Sequence, residues 1–168
     1  MAPATLVSVA EYLTTDYSPD CDYVDGVLED RNVGQQKHAI VQTLIAGFLL
    51  RLRHVLGALV VVEQRIEVSP TRYRVPDVCV VLGADPDEAV ITTAPFLCVE
   101  VVSPDDRMSR MQEKIDDYLG MGVSYVWVVD PYLRKAWTHT SAGTVEARDG
   151  VLRTKDPDIE MPLSEVLP

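Results

Sequence analysis

The stretch Phe96-Leu97-Cys98-Val99-Glu100-Val101-Val102 followed by Ser103-Pro104-Asp105-Asp106 decides the architecture. Its first half is apolar on both sides of a two-residue period, the pattern of a strand covered on both faces. Its second half supplies a Ser in N-cap position, a Pro at the first helical position and acids for the first turn, so a helix is expected to start at Ser103. Met108, Met111, Ile115, Tyr118 and Leu119 share one face of that helix, and Gly120 and Gly122 end it. Tyr125 to Val129 is again a buried-looking strand, closed by Asp130-Pro131. Strand, helix and strand of this kind form one unit of a covered sheet.

Upstream, Leu59 to Val68 and Tyr73 to Leu82 are rich in Val and Ile and read as two strands joined by Ser69-Pro70-Thr71. Before them, Val41, Leu44, Ile45, Phe48, Leu49, Leu52, Val55 and Leu56 recur at three and four residues, which predicts a long helix from Gln36 to Val55 with Gly57 as its stop. Tyr23-Val24-Asp25-Gly26-Val27-Leu28 is a hairpin with a two-residue turn, because Asp-Gly tolerates positive φ at both central positions. Ser8-Val9-Ala10-Glu11 has the form of a capping box for a short helix reaching Thr14. A loop is expected at Asp85-Pro86-Asp87. Short strands fit Lys135 to Thr140, Thr144 to Ala147 and Val151 to Thr154, and a helical turn fits Leu163 to Leu167. Strands on both sides of two long helices predict an α/β three-layer sandwich, a mixed central sheet flanked by helices, in a single domain over residues 1–168.

With 47% hydrophobic and 24% charged residues, the 168-residue chain has the composition of a folded domain and not of a disordered or repetitive one. Its uninterrupted apolar runs, such as Ala58 to Val62 and Val78 to Leu82, are far short of the roughly 20 residues of a membrane helix. Met1 to Val9 lacks the basic and apolar regions of a secretory signal, so a cytoplasmic location without a membrane partner is expected. Cys21, Cys79 and Cys98 are an odd set without close spacing and are expected to be reduced; with His38, His54 and His139 scattered, no zinc-type spacing occurs. The net charge of −11 argues against a polyanion as partner, but residues 31 to 74 carry seven basic side chains against Glu63 and Glu67. That local excess of +5 is compatible with an anion-binding surface, and equally with cations that only balance the acids.

Two carboxylates interrupt the buried strands. Asp77 opens Val78-Cys79-Val80-Val81, and Glu100 stands between Val99 and Val101, where an ionised group costs several kcal/mol unless it is paired or holds a cation. By alternation Glu100 shares a face with Phe96, Cys98 and Val102, and Asp77 with Val75, Cys79 and Val81. If the strands are neighbours, the two acids meet, and their oxygens suit Mg²⁺ or Mn²⁺. Lys114, at the edge of the apolar face of the following helix, is placed to reach over the sheet. A buried ion pair of Lys114 with one acid, or a surface pair with Asp117 worth about 0.2–0.5 kcal/mol, explains the same residues.

The order Val75-Pro76-Asp77-Val78, Glu100 to Arg107, Glu113-Lys114, Tyr118 to Val123 and Tyr125 to Pro131, with the Tyr23 to Leu28 hairpin and His38, resembles the Uma-two family. These are bacterial proteins assigned to the restriction endonucleases, within the PD-(D/E)XK nuclease superfamily. The resemblance covers nearly the whole chain. It implies a restriction-endonuclease-like fold, Asp77 and Glu100 as metal-binding acids, and Ser103 and Lys114 completing the site. The superfamily lysine normally stands two residues after the second acid, where this chain has Val102; the Uma-two pattern moves it to the helix, at Lys114. The implied activity is Mg²⁺- or Mn²⁺-dependent hydrolysis of phosphodiester bonds in DNA, by a chain that acts as a homodimer.

His38 and Glu63 are further candidates to support the site; Gln64 is a weaker one. Ser103 is first of all a helix cap. Arg51, Arg53, Arg65, Arg72 and Arg74 are candidates for phosphate contact, and the aromatic strands near Trp127 and Trp137 for a dimer interface. The alternative function is a catalytically silent module of the same fold that binds nucleic acid or protein, motivated by the net charge and by Val102.

Overall fold

A computed structural model of the chain describes residues 6–31, 35–83 and 87–168. Asp85, Pro86 and the start of the Met1 to Val9 segment lie outside these residues. The elements run α1 (Val9–Thr14), β1 (Asp22–Val24), β2 (Val27–Glu29), α2 (Gln36–Leu56), β3 (Ala58–Val62), β4 (Ile66–Ser69), β5 (Arg72–Arg74), β6 (Val78–Leu82), β7 (Leu97–Val101), α3 (Met108–Met121), β8 (Tyr125–Asp130), β9 (Lys135–Thr140), β10 (Gly143–Glu146), β11 (Val151–Thr154), β12 (Ile159–Pro162) and α4 (Leu163–Val166). A six-stranded mixed sheet, β10-β9-β8-β7-β6-β3, is the centre; β7 and β8 are parallel and the other pairs antiparallel. α2 covers one face with α4 and the β11-β12 hairpin, and α3 covers the other. The expected three layers are present.

Local chemistry accounts for the boundaries. Asp25 and Gly26 both take positive φ, 48° and 93°, the type I′ geometry that matches strand twist between β1 and β2. Ser8 Oγ accepts from the Glu11 N–H at 3.1 Å at the start of α1. Gly57 closes α2 at φ 58°. α2 buries Val41, Ile45 and Leu49 against Val78, Val80 and Val99 of the sheet. At 21 residues and a mean hydropathy of 1.4, α2 is also long and apolar enough to cross a membrane, although polar residues interrupt its apolar runs. The packing of its inner face on the sheet is that of a core helix.

Four expectations need correction. The two strands expected over Leu59 to Val68 and Tyr73 to Leu82 are four, because each breaks in the middle: at Glu63, whose φ is 51°, and at Pro76 before Asp77. β3 and β6 pair in the central sheet, whereas β4 and β5 join β1 and β2 in a second, four-stranded antiparallel sheet ordered β2-β1-β5-β4. Ser103 does not cap α3; the helix starts five residues later with Arg107 in cap position and no side-chain cap. Asp106 Oδ2 instead accepts from the Ser103 N–H at 2.7 Å, closing a turn ahead of the helix. Phe96, just before β7, turns to the α2 face and not to that of Cys98. Trp127 is fully buried among Leu97, Val99 and Val129 and is no interface material, and Trp137 packs half-buried on the α3 side.

Cys79 and Cys98 face each other across β6 and β7, and all three cysteines are buried and unpaired. Burial pushes the Cys79 thiol up to about 12, the Cys98 thiol well above its ordinary value, and, with Asp20 nearby, the Cys21 thiol to about 11. The folded protein is therefore expected to give no fast reaction with Ellman's reagent at pH 8, and to titrate three thiols after denaturation. One fast equivalent in the native state would contradict this packing.

Candidate active site

The register of β6 and β7 pairs Val78 with Val99 and Cys79 with Cys98, so its next step sets Asp77 opposite Glu100 on the face covered by α3. Each acid is only 3% exposed. Buried carboxylates persist when donors meet them, and both are fully met. Asp77 Oδ2 accepts from the Val101 N–H at 2.7 Å and lies 3.2 Å from His38 Nε2, while Oδ1 accepts from Arg31 Nη2 at 2.8 Å. Glu100 Oε1 accepts from the Tyr118 hydroxyl at 2.6 Å and Oε2 from Lys114 Nζ at 3.0 Å. Lys114 and Tyr118 are one helical turn apart on α3, which is why both reach the same carboxylate. Lys114 Nζ is also 3.5 Å from Asp22 Oδ2, at the start of β1. The surface pair with Asp117 does not form: Asp117 is taken by Arg72 and Arg74.

The two acids are driven apart electrostatically. Burial pushes Asp77 up, but the His38 hydrogen bond, Arg31 and Lys114 together outweigh it and hold the carboxyl below its ordinary value. Burial also pushes Glu100 up; Lys114 opposes this, Asp77 and Asp22 reinforce it, and the net position is raised. For Lys114, burial favours the neutral amine, yet Asp22, Glu100 and Asp77 prevail and keep it a cation. His38 is likewise raised, burial being outweighed by its bond to Asp77. Neighbouring carboxylates of opposite tendency are common where proton transfer takes place.

These groups line a cleft of about 280 Å³ whose walls include Asp22, Arg31, His38, Ser103, Arg107 and Arg110. Of the supporting candidates, His38 touches Asp77 directly and Ser103 stands in the wall, 5% exposed. Glu63 sits behind: Gln42 Nε2 bridges its Oε1, at 3.3 Å, to the Asp77 carbonyl, at 3.0 Å. Gln64 turns away to the Ala89 carbonyl. Among the described residues no group of three or more His, Cys, Asp and Glu side chains is arranged to hold a metal ion. Two adjacent carboxylates still fit a hard divalent cation, since Mg²⁺ is often held by one or two carboxylates and keeps water on its remaining positions.

The arginines expected to meet phosphate are dispersed. Arg74 is fully buried among Asp22, Glu29 and Asp117, so no phosphate can reach it, and Arg72 is engaged by Asp25, Glu113 and Asp117. Arg51 pairs with Glu165, and both it and Arg53 lie on α2 about 20 Å along the helix axis from His38. Arg65 is clamped to Asp20. The cations at the cleft are instead Arg31, Arg107 and Arg110, together with Lys114. Sequence reading passed over Arg31, Asp22, Arg110 and the Tyr118 hydroxyl as parts of a site. Only Tyr118 carried a signal, its spacing of four from Lys114.

A crystal structure from Anabaena variabilis, described as a "putative nuclease belonging to DUF820", shares the fold with a TM-score of 0.82, at 17% identity, over 96% of this chain and 97% of that one. No curated protein matches this chain. Residues 9–166, from the first turn of α1 to the end of α4, match the family described as "Uma2: Putative restriction endonuclease", and the chain belongs to that family.

Proposed function

We propose that this protein is a divalent-metal-dependent endonuclease that hydrolyses phosphodiester bonds in DNA. One observation carries the reading: Asp77 and Glu100 stand side by side at the end of adjacent strands, with the Lys114 ammonium on Glu100, in a cleft bordered by arginines. Family membership supports a nuclease, and restriction-endonuclease-like enzymes generally use divalent metal ions.

In this reading Asp77 and Glu100 hold Mg²⁺ or Mn²⁺. When bound, such a cation would supply Lewis acidity at a phosphate oxygen and lower the pKa of a water. The chain's own residues do the rest. The Val101 N–H and His38 fix the orientation of Asp77, and Tyr118 fixes that of Glu100. Lys114 stays protonated and places positive charge where the pentavalent phosphorus gains negative charge. Arg107 at the cap position and Arg110 in the first turn of α3 line the cleft, where their charges and the positive dipole end of the helix favour a phosphate.

The deciding experiment is nicking of supercoiled plasmid with Mg²⁺, Mn²⁺ or EDTA, run beside Asp77→Asn. Nicking that needs metal and disappears in the variant is the expected result. Wild-type rates in Asp77→Asn would overturn the assignment.

A second reading is favoured by the internal ion pairs themselves: Arg31 on Asp77 and Lys114 on Glu100 are what a silent binding module would retain as structure. Such a module shows no gain in melting temperature with Mg²⁺ or Mn²⁺, whereas a metal site stabilises the fold by RT ln(1 + [L]/Kd).

A further inference from the structure

Arg31 meets Asp77 on the side that a metal would need. Val101 N–H and His38 both engage Oδ2; the other oxygen, Oδ1, is held at 2.8 Å by the Arg31 guanidinium, whose side chain is 13% exposed. A divalent cation and a guanidinium cannot both occupy that oxygen without strong repulsion between like charges. Arg31 also has a second acid within reach. Its Nη1 lies 3.9 Å from Glu63 Oε2, too long for a hydrogen bond, and the Glu63 side chain is half exposed.

The place of Glu63 is set by its backbone and by Gln42. Its backbone is left-handed, φ 51°, uncommon for a residue with a Cβ. Its N–H points to the Pro76 and Asp77 carbonyls at 3.2 and 3.4 Å, and the Gln42 bridge ties its carboxylate to the Asp77 backbone. An acid is thus held beside Arg31, attached to the same strand end as Asp77, and only loosely paired.

We propose that Arg31 is an internal cation of the metal subsite: it occupies Asp77 while no metal is bound, passes to Glu63 when a divalent cation arrives, and so sets the site's affinity. This rests on the metal-binding reading of Asp77 and Glu100. Arg31 neutralises Asp77 in the resting protein, and Glu63 receives the charge that the metal displaces. Competition from Arg31 then raises the metal concentration needed for half-occupancy.

Isothermal titration of Mn²⁺ and Mg²⁺ into the full chain without nucleic acid tests this. Arg31→Gln is expected to bind about tenfold more tightly than wild type, since a like charge has left the site. Arg31→Lys, which keeps the competitor, stays close to wild type. Glu63→Gln, a change at a half-exposed side chain, binds several-fold more weakly because Arg31 has lost its second partner. A merely structural Arg31 would lower the metal-free melting temperature and leave these affinities unchanged. Equal affinities for wild type, Arg31→Gln and Glu63→Gln, with no binding by Asp77→Asn, overturn the proposal and leave the metal site standing. No binding by any of the proteins overturns both.

Discussion

Replacing Glu100 by glutamine is expected to abolish metal-dependent cleavage, by on the order of 10³-fold or more, and at the same time to stabilise the fold. Cleavage is lost because an amide gives a divalent cation one weak neutral oxygen where a carboxylate gave charge. Stability rises because the native environment resists ionisation of this acid: burial, Asp77 and Asp22 together exceed the help of Lys114 and Tyr118. With its native pKa raised above the ordinary glutamate value of about 4.5, Glu100 binds its proton more firmly folded than unfolded, so its stability cost appears as pH rises past about 4.5. Glutamine does not ionise. The variant should therefore melt with the wild type near pH 4 and increasingly above it toward pH 8, measured by thermal denaturation in EDTA. A variant that melts below wild type at pH 8 would show that the Lys114 pair outweighs burial.

Arg74→Met is the substitution expected to destabilise most. Arg74 is wholly buried; its Nη1 lies 3.3 Å from Asp22 Oδ2 and 3.0 Å from Glu29 Oε2, and its Nε donates to Asp117 Oδ2 at 2.7 Å. Its Nη2 is 2.7 Å from the same Asp117 oxygen, off the hydrogen-bond axis. This one guanidinium joins β1, β2 and β5 of the second sheet to α3. Methionine fills much of the volume but leaves several acids facing one another, Asp22 among them at 2% exposure. Breaking a buried pair by removing one partner costs about 3–5 kcal/mol. In a chain of this size that lowers the melting temperature by about 10 °C. Urea denaturation should show a lower midpoint with an unchanged slope. Arg51→Met, which removes an exposed pair with Glu165, is the control, at under about 1 kcal/mol. A cost for Arg74→Met no larger than the control's would mean that the cluster relaxes into water.

The contrast between those arginines shows what could be read before the structure and what could not. Asp25-Gly26 and the α2 stripe with Gly57 carry local signatures, and the hairpin and the helix follow; Asp77, Glu100 and Lys114 carry none that is specific, and the family resemblance singles out the residues that the fold brings together. Arg74 looks in sequence like any cation of a polar strand, since nothing local says that Asp22, Glu29 and Asp117 converge on it. The breaks at Glu63 and Pro76 were hidden for a related reason. Only Glu63-Gln64-Arg65 separates β3 from β4 and only Val75-Pro76-Asp77 separates β5 from β6, too short to announce a change of sheet, and only tertiary pairing sends the halves into different sheets. β12 went unseen because Met161-Pro162 reads as a strand end, and Pro162 takes the terminal pairing position opposite Val151. At Ser103 the capping pattern closes a turn and not the helix: the Asp106 N–H donates to the Ser103 carbonyl at 3.1 Å, Asp106 Oδ2 accepts from the Ser103 N–H at 2.7 Å, and α3 begins only at Met108.

The lysine that stands on α3 has a consequence for how such a site can change over time. A strand position presents its side chain to one face only, and a shift by one residue turns it to the other. A helix offers attachment points at every turn along one face, about 5.4 Å apart. Val102, two residues after Glu100, packs as an apolar residue against the cluster under α3. Ammonium and acids are then carried by different elements, α3 and the sheet, and are joined by the Lys114 to Glu100 bond of 3.0 Å. A change in one has therefore to be met by a change in the other.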